Sequence, residues 1–448
     1  MDNETKKELS LKESMGILFG SSKAFWLINM VNFGDGIAYF GILTLLTRFL
    51  GTRVGMPDAL TGISVSAFTG LVTLFMFGGG FVSDRLGVRR AITLSLGALF
   101  TGRVLITCAP CDGHGFTAYL IAWSGLFFMA AGSGILQPAL YAGVKEYTDE
   151  RTATIGYSFL YAIMNLGIVA ESFVSPFVRT GDKFLGNIVG LGWGIDGVFW
   201  ICTAITGFMM LVHMTLFNAK TEATHRLVKD VPHTGPQLTW KQKLAELPFL
   251  DSRFMFFIFI LLPVRTLFAH QFLTMPDYVF RAFPEAVSQK FEWINGLNPF
   301  IIVIFVPLIA ALTRKANIIT MMIIGTSISA VTTFLLVPGP NLNMLIAYVI
   351  LFSLGEAVWS SRFLEYVADL APAGKVGAYM GLAGIPWFLA KFTTGLYSGF
   401  MLERFVPPAG AQDTSTLWLI YGIIACLSPI GLILAKKWVE VAHIPKNS

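Results

Sequence analysis

The sequence predicts an all-α integral membrane protein built from twelve transmembrane helices in two six-helix halves. Three observations lead there. Of 448 residues 54% are hydrophobic and 13% charged, with a mean hydropathy of +0.67, where a soluble domain carries roughly 25% charged residues. Apolar runs of about 20 residues, the length that spans a bilayer, recur along the whole chain with short polar breaks between them. One longer break, residues 218–252, divides these runs into two equal sets. The composition leaves no room for a sizeable soluble domain, and the net charge of +5 lies in loops on one side, so it is not a nucleic-acid signal.

Taken in order, residues 1–23 hold Lys6, Lys7, Lys12 and Lys23 without a signal-cleavage pattern, and read as a cytoplasmic N-terminal segment. Spans follow near 24–50, 59–83, 91–109, 117–143, 155–178 and 190–217, forming an N-terminal bundle over 24–217. The linker 218–252 carries Lys220, Arg226, Lys229, Lys241 and Lys243 and reads as cytoplasmic. Spans near 253–275, 294–313, 317–337, 342–370, 376–401 and 415–435 make a C-terminal bundle over 253–436, and 437–448 is a tail. With an even number of spans both termini share one side. About 21 of the 32 Lys and Arg fall in loops on that side and about 6 on the other, which places both ends in the cytoplasm.

Between spans two and three lies Gly78-Gly79-Gly80-Phe81-Val82-Ser83-Asp84-Arg85-Leu86-Gly87-Val88-Arg89-Arg90. An acid, three arginines and a glycine turn cannot lie in hydrocarbon, so they form a tight cytoplasmic hairpin. Cys108 and Cys111 form a Cys-Ala-Pro-Cys sequence with no further ligands nearby, so neither a metal nor a cofactor is expected. Cys202 and Cys426 read as packing residues. There is no ATP-binding loop, no metal cluster and no nucleophile paired with a base. The expectation is therefore a non-enzymatic protein that works on a gradient.

Charges inside apolar spans are the candidate site. Each costs about 2.5–3.5 kcal/mol on insertion scales and must face a cavity or a partner. They are Asp35, Arg103 and Glu171 in the first half, and Arg265, His270, Glu356, Arg362, Glu365 and Lys391 in the second. Arg362 and Glu365, three apart, can bridge along one helix face, holding it together or gating. Glu356 has no base three or four positions away, so its partner comes from another helix, with Lys391 or Arg265 as candidates. A carboxylate whose partner can be withdrawn meets the requirement for proton coupling. Asp35 lies between Gly34 and Gly36, where small neighbours allow close helix approach or access to the carboxylate. Glu171 follows Asn165 and Gly167, and Arg103 is its partner or an anion ligand. His270 is a titrating group if wet, or a satisfied structural donor.

The hairpin motif, from Gly80 through Asp84-Arg85, Gly87 and Arg89-Arg90, resembles the loop between the second and third helices of major facilitator superfamily transporters. Arg314-Lys315 is a faint echo of it in the second half. Ser158-Phe159-x-Tyr161-xxx-Asn165-x-Gly167, Glu292-Trp293 through Asn298-Pro299, and Leu354-Gly355-Glu356 with Leu370-Ala371-Pro372 resemble the proton-dependent oligopeptide transporter (POT/PTR) branch. The resemblance implies the major facilitator fold, a midplane solute site between the halves, and a monomer. It also implies a gating and amine-binding role for Glu356, pocket positions at Asn165 and Tyr161, and a gate in which Asp84, braced by Arg85, Arg89 and Arg90, meets the N-terminal end of span eleven.

The departures from that branch are specific. Its segment-one pair of acids and arginine falls on Asn32-Phe33-Gly34-Asp35-Gly36, where one acid remains. Gln137 precedes Pro138 where the branch has lysine, and Ala269 stands at the segment-seven acid, beside His270. Arg265, Lys391 and Glu171 are added charges that suggest a rebuilt pocket for a zwitterionic or anionic solute. The expected function is proton-coupled uptake of a small polar solute, such as a peptide, through the cell membrane, with solute, protons and bilayer as partners. The alternative is a superfamily exporter working by antiport, against which span five lacks a Gly-x-x-x-Gly-Pro run and has only Ser175-Pro176. A transport-inactive membrane receptor is the remaining reading.

Overall fold

The computed structural model describes residues 22–112, 115–147, 153–181, 183–185, 188–225, 252–313, 316–370 and 385–440. Twelve helical spans run through these residues. They are α1 (Lys23–Thr52), α2 (Asp58–Leu86), α3 (Val88–Cys108), α4 (Phe116–Tyr147), α5 (Ala153–Arg179), α6 (Gly194–Leu216), a three-piece α7 (Ser252–Ile260, Leu262–Leu273, Met275–Ala282), α8 (Phe291–Leu312), α9 (Ile318–Thr332), α10 (Leu342–Leu370), α11 (Ile385–Phe405) and α12 (Thr414–Glu440). The first stretch expected of span eleven, from 376, lies outside the described residues.

Local chemistry sets several boundaries. The Ser22 hydroxyl accepts from Phe25 N at 3.2 Å and Asn317 Oδ1 from Thr320 N at 2.8 Å, each satisfying a first-turn N–H that has no partner inside its helix. The turn between α2 and α3 is Gly87 alone, at φ +77°, a conformation that a side chain strains. Span seven is read from the sequence as one helix, yet it breaks at Leu261 and Thr274, each followed within two residues by Pro263 or Pro276. Proline deprives the preceding turn of a hydrogen bond. The loose Val264 N–H donates instead to Ser428 Oγ of α12 at 2.9 Å, which makes the break tolerable at membrane depth. Helix α6 begins at Gly194, not at 190, because the residues before it form a hairpin of β1 (Lys183–Leu185) and β2 (Ile188–Val189).

Glycines set the helix spacing. An ideal Cβ on Gly167 would lie 2.6 Å from Phe33 O, and one on Gly36 would lie 2.8 Å from Met164 O, so α1 and α5 touch through backbone beside Asp35. In the second half, Cβ atoms on Gly325 and Gly355 would run into the facing backbone of α10 and α9. Gly355 thus packs α10 against α9 while its neighbour Glu356 is presented on another side of α10. A short helix, Ala219–His225, opens the linker, and its Glu222 pairs with Arg89 at 2.8 Å. Arg89 thus ties α3 to the segment that follows α6. Residues 226–251 lie outside the described residues.

Candidate functional site

Asp35 and Arg103 form one unit in the first half. Arg103 Nη2 donates to Asp35 Oδ1 at 2.7 Å, and its Nη1 donates to Thr206 Oγ1 of α6. With Arg103 1% and Asp35 7% exposed, this is a buried ion pair joining α1, α3 and α6. The expectation that Arg103 serves Glu171 or an anion is thereby corrected, since its fork is already held by Asp35 and Thr206. Removing one member of such a pair strands a buried charge and costs about 3–5 kcal/mol, whereas an apolar pair of similar volume is nearly neutral. Asp35→Ala is thus expected to lower the thermal unfolding midpoint of the detergent-purified protein sharply, and Asp35→Leu with Arg103→Met to recover most of it. Equal midpoints for Asp35→Ala and the native chain would exclude a structural pair.

A second group of charges joins the halves at one end, opposite the Gly87 turn. Arg281 donates to both oxygens of Asp58, at 2.6 and 2.7 Å, and to Asp277 at 3.1 Å, while Arg48 reaches Asp277 at 3.2 Å. Arg179 forks onto Glu292 at 2.5 and 2.6 Å and also donates to Gln289 O at 2.8 Å, so α5 is clamped to the start of α8. Ser175 donates to Glu292 at 3.2 Å, and Glu171, one turn before it on α5, is buried with its Oε1 unpartnered. Between these clamps α2 and α11 cross in backbone contact. A Cβ on Gly62 would meet Gly395 O at 2.9 Å, Ala59 N donates to Glu403 Oε1 at 2.9 Å, and Ser66 Oγ donates to Phe392 O at 2.6 Å. Among the described residues, the ion pairs between the halves all lie at this end.

This seam escapes sequence reading. Arg48, Asp58, Arg179, Asp277 and Arg281 sit at the ends of spans, where a charge reaches water and hydropathy registers no penalty. Glu292 is noticed only as part of the branch motif. The available signal is their alternation of sign, three acids facing three arginines at neighbouring span ends.

In the second half the candidate residues converge from α7, α8, α10 and α11. Glu356 is 8% exposed, and its Oε2 accepts from Asn298 Nδ2 of α8 at 2.8 Å. Its partner does come from another helix, but it is a neutral amide: among the described residues neither Arg265 nor Lys391 forms an ion pair with it. The reason is that Arg265 is held elsewhere. Its guanidinium carbon lies 4.3 Å from the Phe363 ring centre, 5.1 Å from Trp387 and 5.3 Å from Trp359. Lys391, half-buried, lies one turn beyond Trp387 on α11. His270 hydrogen-bonds Thr274 Oγ1 at 2.8 Å and the Tyr397 hydroxyl at 3.1 Å, and stacks on Tyr421 at 3.7 Å. Both ring nitrogens are thus engaged, one of them at the break at Thr274.

The remaining candidates are scattered. Asn165 is buried on α5, and Gln137 is half-buried on α4 beside Pro138. Arg362 donates to Thr313 Oγ1 at 2.8 Å. Arg85 and Arg90 are exposed. The side chains of Asp84, Tyr161 and Glu365 lie outside the described residues, and with them the Arg362–Glu365 bridge and the Asp84 gate.

Known proteins fit this architecture. A family model described as Major Facilitator Superfamily matches residues 25–384. The chain is similar to "Dipeptide and tripeptide permease A" of Salmonella typhimurium, 23% identical over 90% of this chain and 88% of that protein. Its fold is that of a peptide transporter POT solved in complex with sulfate, with a TM-score of 0.72 and 16% identity over 97% of each chain. A POT family transporter in complex with 5-aminolevulinic acid gives a TM-score of 0.70 at 16% identity, covering 94% of this chain and 97% of that one. With twelve spans in two halves, joined by a seam at one end, the chain belongs to the major facilitator superfamily.

Proposed function

We propose that the protein is a secondary active transporter that takes up a small polar solute, a di- or tripeptide or a peptide-like zwitterion, together with protons by alternating access. The observation that carries this reading is the one-ended seam. Two halves clamped together by ion pairs and bare helix backbone at one end, with buried ionisable groups deeper in the bundle, are built to part at that end and close at the other. The excess of Lys and Arg in the loops at the other end supports a seam on the outer face, with both termini in the cytoplasm. The relatives' names supply the solute class, and Glu356, with one oxygen on Asn298 and the other left over, is suited to an ammonium group.

Glu171 is the proposed proton site. Glu171 Oε1 is buried without a donor, and the one hydrogen of Ser175, a turn away on α5, is spent on Glu292, so the hydrogen missing at that oxygen is one that an added proton supplies. That proton sits against the clamp between α5 and α8. The test is uptake of labelled dialanine into proteoliposomes under an imposed inward proton gradient. Native protein should concentrate the peptide, and a protonophore should abolish the accumulation. Glu171→Gln is expected to lose gradient-driven accumulation by at least tenfold while retaining solute exchange, and Glu356→Gln to lose both. Equilibration without accumulation by the native protein would remove proton coupling from the reading.

A further inference from the structure

We infer that Arg265, in its aromatic cage, is a binding site for the anionic group of the solute, a carboxylate or a similar small oxyanion. The inference rests on the transporter reading and deepens it. Arg265 is 1% exposed, and both Nε and Nη1 are buried without an acceptor. Among the described residues no carboxylate lies within 4 Å of it. A buried guanidinium ordinarily has a paired anion or several carbonyl acceptors. Here the groups in contact with it are the rings of Phe363, Trp359 and Trp387, while Glu356 acts on it only from beyond salt-bridge distance. Aromatic rings attract a cation through their faces but accept none of its N–H bonds. The fork is thus oriented and held while its hydrogen-bonding capacity stays unspent, and a planar oxyanion is the partner that such a fork takes in bidentate fashion.

The surroundings favour a zwitterion. Glu356, Trp359 and Phe363 follow at i, i+3 and i+7, so α10 turns one face with a carboxylate at one end and two cage walls beyond it toward Arg265. Phe268, one turn after Arg265, packs on Trp387 at 5.3 Å and Trp359 at 5.9 Å, fixing the two indoles against α7. Trp387 is 38% exposed, which makes it the wall through which a solute reaches the arginine. Lys391 adds a second positive charge one turn along α11, with no carboxylate within 4 Å among the described residues. Opposite charges for both ends of a zwitterion thus stand on helices of the second half, the anion-binding end on α7 and α11.

The test compares affinities of the full-length protein for dialanine, dialanine amide, 5-aminolevulinate and sulfate, with native protein, Arg265→Gln and Arg265→Lys. The native chain is expected to bind dialanine at least tenfold more tightly than its amide, and Arg265→Gln to bring the two within about twofold. Arg265→Lys keeps the charge without the fork and should reduce the ratio at least threefold, and it carries the comparison if Arg265→Gln does not purify. Binding of both peptides with an acid-to-amide ratio that Arg265 does not alter overturns the inference while the peptide reading stands. Failure of both peptides, with 5-aminolevulinate or sulfate bound in an Arg265-dependent way, removes the peptide reading and leaves the anion site. If no probe responds to either substitution, the site is refuted.

Discussion

Replacing Arg281 with alanine is expected to throw the seam open. In the closed arrangement this arginine holds Asp58 with two bonds and Asp277 with a third, and it also donates to Val406 O at 3.0 Å. Arg48 remains on Asp277 after the substitution, but Asp58 loses its cation. Stranding one member of a well-buried pair costs about 3–5 kcal/mol; since Asp58 is partly exposed, about 2–3 kcal/mol is appropriate here, or a shift of roughly 30- to 150-fold in the ratio of closed to open populations. Once the seam parts, water reaches the carboxylate, so the penalty falls on the closed state alone. Spin labels on Thr52 and Ala409, in opposite halves at that end, should move to longer separations, and uptake should fall more than tenfold. Asp58→Asn combined with Arg281→Gln leaves no stranded charge and should restore the short separations in part. Native-like separations in Arg281→Ala would mean that the cluster does not hold the halves.

Gly62→Leu should be nearly as damaging to transport, for the opposite chemical reason. Its Cβ would stand 2.9 Å from Gly395 O and 3.0 Å from Gly399 N, and a Cβ on Gly399 would meet Ala59 Cα at 2.9 Å. These are backbone atoms, which cannot swing aside, so α2 and α11 have to separate. Overpacking of this kind costs typically 1–3 kcal/mol, again only in the closed state. Within each half the same change helps, because leucine is a better helix former than glycine by several tenths of a kcal/mol. The expected signature is thus a thermal midpoint at or above the native value together with a transport rate at least tenfold lower. A parallel fall in both would point to misfolding, and an unchanged rate would place the crossing outside the transport cycle.

How much of this was legible in the sequence depends on whether a feature is local. The spans were, because each is a continuous apolar run that lipid requires to be helical. The breaks in α7 were not: Pro263 and Pro276 are visible, but the hydrogen bond from Val264 to Ser428 joins residues 164 apart. Asp35 and Arg103 each stood out as a charge in an apolar span, yet no spacing rule pairs residues 68 apart. Glu356 drew attention for the same reason, while Asn298, its actual partner, is uncharged and unremarkable in a hydropathy profile. The cage about Arg265 shows the limit best. Trp359 and Trp387 are two of ten tryptophans, and nothing in their order along the chain says that their rings meet over one arginine.

The broken α7 has a mechanical consequence. Its central piece carries Arg265, and its last piece, beyond Thr274, carries Asp277 and Arg281. From Thr274 to Arg281 is about 10 Å along a helix rising 1.5 Å per residue, which makes the last piece a short lever arm pivoting on the break. A tilt of about 10° there moves the Arg281 backbone by nearly 2 Å, as much as is needed to draw its 2.6 and 2.7 Å bonds to Asp58 past the reach of a salt bridge. Latch and cage are thus two ends of one articulated rod, and a bend of about 10° at its joint is enough to work the latch without displacing the cage.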